Sequence, residues 1–310
     1  MSERQVIVLA GGSGDLGRYI HEELVKNPRY SVALLTRNAS PNPSSLPHTT
    51  IHPTDYTLPS ILSILTQTRA TALISTIRCP DNEYLPIHQA LLDACLASAH
   101  CKRFIPSEWA GDIENFPDIP PFYGKTRAPF REILNGIPPD ELQWTLFCHG
   151  WFMEYFLAPE KSYMRCIPGE FPVDLVKGVY TVRGTGEEMQ SFTAGRDVGT
   201  AVAVLLGVAE WEPITYVTGE WSSFNDAVAR FEKFYGRTLT RTHRSLEDIQ
   251  KSLEEFEKDP SCDPLGICEI EQWQASGATS CPKEKTLRQY QKYFSGMNFV
   301  KLEEMLKMGE

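Results

Sequence analysis

The sequence lacks paired cysteines. Eight of its 310 residues are cysteine, and no two of them form a Cys-x-x-Cys pair. Because ligand pairs at short spacing are missing, a structural zinc site is disfavoured and we expect no metal. Scattered thiols in a chain of this length are typical of free cysteines in a reducing compartment.

Long apolar runs and an excess of positive charge are also missing. No apolar run reaches about 18 residues, so no membrane span is predicted. Only five apolar residues, Val6 to Ala10, precede the first glycines, too few for the core of a signal peptide. Lys and Arg total 30 against 40 Asp and Glu, a net charge of −10, which gives no global positive field for nucleic acid or an anionic membrane. We expect a cytoplasmic protein with a small-molecule partner and no nucleic-acid or membrane partner, and consider a homodimer.

The first 150 residues alternate short β-branched runs with segments of helical period. The composition, 42% hydrophobic and 23% charged, is typical of a globular protein. Candidate strands cover 5–10, 32–35, 50–52, 71–77, 102–105 and 143–148. Strands and helices in alternation predict an α/β fold, a Rossmann-type doubly wound parallel sheet.

The pattern changes after residue 150. We expect a hairpin over 178–193, a helix capped by Asp197, helices after Ser223 and over 245–258, and a loop over 262–281. The predicted domains are therefore 1–150, an NADP-binding Rossmann domain, and 151–310, a smaller, partly helical and mainly substrate-binding region. Residues 190–220 are expected to return to the Rossmann core.

The strongest motif is GGSGDLG at residues 11–17, between a candidate strand and an amphipathic helical pattern. Gly12, Gly14 and Gly17 have GxGxxG spacing, which serves a tight turn, the approach of a pyrophosphate and close helix–strand packing. The helix amino terminus then offers unpaired N–H groups to phosphate. In this context a dinucleotide site is favoured over an ordinary glycine turn. Its predicted residues are Gly11, Gly12, Gly14, Asp15, Leu16 and Gly17.

The end of the second strand decides which dinucleotide is expected. NAD sites usually carry an acid about 20 residues after the glycines, but no Asp or Glu occurs between Tyr30 and Thr54. Arg37 stands there instead, and a guanidinium suits a 2′-phosphate through bidentate, charge-assisted bonds. NADP(H) is therefore predicted, the alternative being that Arg37 is a solvated surface residue.

Three segments, 77–80, 106–109 and 149–152, directly follow candidate strands. Because the carboxyl ends of parallel strands share one edge, we expect these segments to converge on the glycine loop. The expectation adds Ile77, Ser107 and Glu108 to the cofactor site and Trp109 to the substrate pocket.

The proton donor is harder to predict. None of the twelve tyrosines is followed by a lysine four residues later, which excludes the usual short-chain dehydrogenase pair. Lys125 is the best remaining candidate, since a partly desolvated ammonium beside a nicotinamide can pass a proton. A lone lysine is more often solvated. His149 and Tyr123 are the second candidates.

Several segments together resemble the NmrA-like, isoflavone reductase-like branch of the atypical short-chain dehydrogenases. They are VIVLAGGSGDLG, LLTRN, KRFIPSEWAGD, TLFCHGWFMEYFL and FTAGRDVGTAVAVLL, with Lys125 between the third and fourth. The resemblance spans residues 5–240 and implies NADPH-dependent reduction, with Lys125 as general acid or base and in the cofactor site. Pro129 departs from the family pattern, so the helix either begins near Ala128 with proline in its first turn or is kinked.

An aromatic stretch follows the last strand of the first region. Trp151, Phe152, Met153, Tyr155 and Phe156 either line a pocket for a bulky apolar substrate or form the core of the second region. The leading hypothesis is an NADPH-dependent reductase of a medium-sized aromatic or polycyclic metabolite of secondary metabolism. The alternatives are an NmrA-type NADP-binding redox sensor without catalysis and a cofactor-retaining isomerase or cyclase.

Overall fold

The centre of the molecule is a six-stranded parallel sheet. A computed structural model describes residues 3–37 and 46–309. The strands follow the order β3-β2-β1-β4-β5-β6, which places the topological switch point between β1 and β4, where open α/β sheets bind ligands. They are β1 (Gln5–Ala10), β2 (Tyr30–Thr36), β3 (Thr49–Pro53), β4 (Ala72–Ser75), β5 (Arg103–Ile105) and β6 (Gln143–Trp144). The predicted Rossmann-type α/β class is confirmed.

Helices cover both faces of this sheet. The first four are α1 (Asp15–Lys26), α2 (Leu58–Thr68), α3 (Asp81–Ala97) and α4 (Arg127–Asn135). Alternate residues of β1 face opposite layers, so Val8 packs in the core that contains residues of α2, α3 and α4, whereas Ile7 and Leu9 pack with α1. Burial on both faces explains why β1 is a continuous apolar run.

The second part of the chain forms smaller sheets and six further helices. Its strands are β7 (Leu146–Cys148), β8 (Trp151–Phe152), β9 (Val173–Asp174), β10 (Val179–Arg183), β11 (Met189–Thr193), β12 (Ile214–Tyr216), β13 (Glu220–Ser223) and β14 (Thr240–Arg244). The helices are α5 (Gly195–Leu205), α6 (Phe224–Tyr235), α7 (Leu246–Lys258), α8 (Ile267–Ala275), α9 (Lys283–Gln289) and α10 (Leu302–Met308). The strand orders are β14-β10-β9, β13-β11-β8 and β12-β7, and α5 packs on α1. The division into domains stays a prediction.

Two helix starts and the position of Pro129 agree with the sequence. Ser223 caps α6 and Ser245 caps α7, each side chain accepting a hydrogen bond from the backbone three residues later. Helix α4 begins at Arg127, so Pro129 lies in its first turn, where a missing N–H leaves no helical bond unmade. Within the described ranges, no helix is both long enough and apolar enough to cross a membrane.

The predicted hairpin over 178–193 is wrong. Strands β10 and β11 belong to different sheets, because β10 pairs with β14 and β9 whereas β11 pairs with β13 and β8. In the segment that joins them, the Glu188 carboxylate accepts hydrogen bonds from the N–H groups of Thr185 and Gly186, both at 2.9 Å. Asp197 does not cap α5 either. It lies in the first turn and accepts a hydrogen bond from the Val300 N–H at 2.7 Å.

The loop predicted over 262–281 contains α8. Pro264 and Gly266 precede the helix, Gly266 having a φ of 62°, and Gly277 follows its end with a φ of 78°. These residues mark the two ends of a short helix, which is where Pro and Gly are favoured. The difference matters because α8 covers the site described next.

Candidate active site

A cavity of about 810 Å³ lies along the carboxyl edge of the six-stranded sheet. Loops after β1, β2, β4 and β5 form one wall, and residues of α7, α8 and the 152–170 segment form the other. The predicted cofactor residues that line it are Gly11, Gly14, Asp15, Leu16, Arg37, Ile77, Ser107 and Glu108. The structure thus brings these residues together, as the shared strand edge requires.

Gly12 and Gly17 lie behind the cavity wall, where they permit close packing. A Cβ on Gly17 would stand 2.2 Å from the Gly11 carbonyl oxygen, and one on Gly12 would meet the Leu34 side chain at 2.5 Å. Gly11 has a φ of 78°, and the Gly14 N–H donates to its carbonyl at 2.9 Å. The turn therefore has room for backbone only, and phosphate oxygens can approach its outer side.

Helix α1 starts at this turn without a side-chain cap. Its N-cap residue is Gly14, which has no side chain to accept hydrogen bonds from the first-turn N–H groups. Asp15 lies in the first turn and accepts a hydrogen bond from Arg165 at 2.9 Å. Uncapped N–H groups and the positive end of the helix dipole are suited to a phosphate.

Arg37 and two strained aromatic residues lie in the same wall. Arg37 follows β2 and is exposed. Its charge opposes the rise that burial causes in the pKa of Tyr56, which places the two side chains near each other. Tyr56 and Trp109 both have a positive φ, 59° and 47°, and both line the cavity. Strained backbone of this kind is concentrated at ligand sites.

The opposite wall is largely apolar. It includes Phe152 at the end of β8, Tyr155 in the next turn of chain, Phe256 of α7, and Leu265 and Ile270 around α8. Two carboxylates interrupt it. Glu170 stands 3.6 Å from Arg78, and burial raises its pKa. Burial and the nearby Asp81 raise the pKa of Glu269 to about 7.

The aromatic stretch is divided between the cavity and the core. Phe152 lines the cavity, whereas Trp151, Met153 and Phe156 are buried in the core of the second region. The Trp151 ring lies 5.0 Å from that of Trp273. Successive residues of β8 face opposite sides, and the 3₁₀-helix Met153–Phe156 returns the chain to the core. The pocket interpretation therefore applies to Phe152 and Tyr155, and it is corrected to the core alternative for Trp151, Met153 and Phe156.

Tyr123 lines the cavity, whereas Lys125 does not. Both belong to the 3₁₀-helix Pro121–Lys125. Tyr123 is buried and lines the cavity, and burial followed by the charge of Glu108 raises its pKa. Lys125 is exposed and outside the lining. Its charge lowers the pKa of Glu269, a cavity residue, and so opposes the rise that burial causes.

His149 lies behind Phe152, outside the cavity. The two rings are 4.2 Å apart, and both ring nitrogens lack a hydrogen-bond partner among the described residues. Burial lowers the pKa of His149 to about 3. The imidazole is therefore neutral near pH 7 and is separated from the cavity by an aromatic ring.

Two arginines of α4 were missed by the sequence analysis. Arg131 donates to both carboxylate oxygens of Glu108, at 2.7 and 3.2 Å, in a buried pair that fixes this part of the wall. Arg127 lines the cavity and stacks on Tyr84, with 4.4 Å between its guanidinium carbon and the ring centroid. Arg127 lies two residues after Lys125 in the sequence, so its position next to that candidate could have indicated it.

Comparisons with known proteins show the family of this chain. The NmrA-like family matches residues 3–275. The chain belongs to the NmrA-like family. The oxidoreductase swnR of Arthroderma benhamiae is 34% identical to it over 301 residues, 96% of each chain. The prediction of an oxidoreductase of this family is confirmed.

Solved structures share the fold. AtPrR2 with NADP⁺ and (+)-pinoresinol superimposes with a TM-score of 0.73 at 18% identity over 100% of both chains. The leucoanthocyanidin reductase–NADPH complex of Vitis vinifera gives 0.71 at 17% identity, over 97% of this chain and 98% of that one. The predicted cofactor is thus the one bound in these neighbours.

Proposed function

We propose that this chain is an NADPH-dependent reductase of a medium-sized apolar metabolite, aromatic or polycyclic. One observation carries the proposal. A single cavity joins the glycine turn and Arg37 to an apolar wall that includes Phe152 and Ile270. Its volume, about 810 Å³, lies within the range of small-molecule sites.

The cofactor half fits NADP(H) through backbone and charge. Gly11, Gly14 and the first turn of α1 would hold the pyrophosphate, and Arg37 would hold the 2′-phosphate. Any side chain at Gly11 would collide with Thr76, since a Cβ there would stand 2.8 Å from its hydroxyl oxygen. When bound, the nicotinamide supplies the hydride.

The substrate half orients an apolar ring and excludes water. Phe152, Tyr155 and Ile270 would contact the substrate. Arg127, held by its stack on Tyr84, places a positive charge in the cavity, which suits a developing negative charge on a reduced carbonyl or phenolic oxygen.

Lys125 is proposed as the general acid or base. Its support is its place at the end of the 3₁₀-helix that carries Tyr123 and its electrostatic effect on Glu269. The four-carbon stem of a lysine lets an exposed ammonium swing toward a bound substrate. Tyr123 is the second candidate, because its side chain already lines the cavity.

The test is the stoichiometry of the reaction. The purified protein is given NADPH and a panel of enones, imines and aryl ethers, and NADPH oxidation and product are measured together. We expect one NADPH oxidised per product. Product in large excess over NADPH oxidised would show a redox-neutral isomerase or cyclase. Tight NADP binding without turnover, together with recovery of a protein partner, would show a sensor.

A further inference from the structure

A second cavity, of about 320 Å³, lies at the opposite edge of the six-stranded sheet. Its wall includes Gln5, Tyr30, Ala72 and Arg103, the first residues of β1, β2, β4 and β5. The loop after α5, with Leu206 and Gly207, closes one side. None of its lining residues lines the large cavity, so the two sites are separated by the length of the strands.

This cavity is basic in an acidic protein. Arg29, Lys102, Arg103 and His100 line it, and no Asp or Glu is among its lining residues. The whole chain carries a net charge of −10, so the charge of this cavity is opposite in sign to the net charge of the protein. In the part of the chain that the structure describes, none of these three Arg and Lys residues forms an ion pair within 4.0 Å.

Arg103 is fixed in place without being neutralised. It donates to the carbonyl oxygens of Leu206 at 2.5 Å and Ala209 at 3.3 Å, and it stacks on Trp211. All three partners are uncharged. Burial lowers the pKa of this guanidinium, and the group that opposes the shift is Tyr30 rather than a carboxylate. The positive charge of Arg103 is therefore not neutralised by these partners and is able to attract an anionic ligand.

Tyr30 belongs to the same wall and carries a buried hydroxyl group. The residue is 1% exposed, and no described residue is hydrogen-bonded to its hydroxyl. Burial raises its pKa, and the charges of Arg29 and Arg103 oppose the rise, so both cations lie near the hydroxyl. A buried hydroxyl without a partner is uncommon, because it loses its hydrogen bonds to water and gains none.

We propose that this cavity binds a small oxyanion, a phosphate- or carboxylate-bearing metabolite. Arg29 and Lys102 are exposed, and the Arg29 guanidinium lies over the Tyr30 ring, 5.5 Å from its centroid. Arg103 and Tyr30 are held in the wall. Charge-assisted hydrogen bonds from two guanidinium groups suit a planar carboxylate or a phosphate. The site is independent of the proposed reduction, so either can fail without the other.

The experiment uses the protein saturated with NADP⁺, because a free phosphate would otherwise occupy the glycine turn. Pyrophosphate is titrated calorimetrically at low ionic strength, and malonate is titrated in parallel to tell a phosphate site from a carboxylate site. We expect saturable binding of at least one of them. Arg29→Gln and Lys102→Gln should each weaken it at least about tenfold, the loss expected for one charge-assisted bond. Lys251→Gln, which removes an exposed lysine of α7, is the matched control.

Tyr30→Phe tests the buried donor separately. The ring keeps its packing, so the thermal unfolding temperature should stay the same or rise, and anion affinity should fall several-fold. The proposal is overturned if neither anion binds saturably, or if Lys251→Gln weakens binding as much as Lys102→Gln does. Unchanged affinity in Tyr30→Phe would remove Tyr30 from the site and contradict the proposal in its present form.

Discussion

The two halves of the large cavity are built in different ways. In the proposed cofactor half, one continuous segment, 11–16, forms the glycine turn, and its shape depends on backbone contacts such as the 2.9 Å bond from Gly14 to Gly11. The substrate half is assembled from side chains far apart in sequence, among them Trp109, Phe152 and Ile270. A site made by backbone leaves a pattern in the sequence, and a site made by side chains from distant segments does not.

Breaking the backbone half should have the largest effect. Gly17→Ala places a Cβ 2.2 Å from the Gly11 carbonyl oxygen, so the glycine turn must move. We expect loss of measurable NADPH binding and destabilisation by about 1–3 kcal/mol, the usual effect of overpacking. Calorimetry with NADPH and thermal unfolding measure the two effects. Gly124→Ala is the control, because a Cβ there meets nothing within 4 Å, and an equal loss in it would contradict this account of the turn.

Two neighbouring residues test the division between cavity and core. Met153 is fully buried, so Met153→Ala should lower the free energy of unfolding by about 2–5 kcal/mol and leave the substrate KM nearly unchanged. Phe152 lines the cavity, and Phe152→Ala should raise KM with a smaller loss of stability. Urea unfolding and steady-state kinetics distinguish the two, and the reverse pattern would show that the facing of β8 is misassigned.

Lys125→Met tests the proposed acid or base of the substrate half. Turnover should fall by about 10² or more, which is the usual loss for a positioned proton donor, while NADPH affinity stays nearly constant. Lys251→Met removes a comparable exposed lysine far along the chain and should change neither. Full turnover in Lys125→Met would transfer the role to Tyr123, and Tyr123→Phe then provides the next measurement.

Glu269→Gln should change the pH dependence of stability. The pKa of Glu269 is raised from 4.5 to about 7 in the folded protein. At a pH between these two values, its carboxyl group is therefore protonated in the folded state and ionised in the unfolded state. Stability from this group is fully present below pH 4.5 and is lost as the pH rises through 7. The variant should therefore unfold at a higher temperature than wild type above pH 7, with the difference vanishing near pH 4.5. Glu257→Gln, at an exposed site on α7, should show no such trend.

The sequence was informative where local rules determine structure. The glycine spacing, the strand–helix alternation and Arg37 at the end of β2 predicted the fold class and most of the cofactor wall. Each depends on a short segment and on the topology that strands and helices in alternation impose.

The remaining features depend on tertiary packing. Helix α8 was not predicted from the sequence, because the Pro and Gly residues at its ends are also typical of a loop. The facing of Trp151 and Phe152 could not be predicted from composition, since both residue types occur in cores and pockets. Arg127 lines the cavity because α4 begins at that residue, and the boundary of a helix is the least certain part of any sequence-based prediction.

The most direct measurement is the affinity of NADPH and NADH for wild type and for Arg37→Ala. If Arg37 holds the 2′-phosphate, wild type should bind NADPH about 10- to 100-fold more tightly than NADH, from roughly 1.5–3 kcal/mol of charge-assisted bonding. Arg37→Ala should bring the ratio close to one and leave NADH affinity nearly unchanged. Equal affinities in wild type, or a preference that survives the substitution, would contradict the assignment of this cavity to NADP(H) through Arg37.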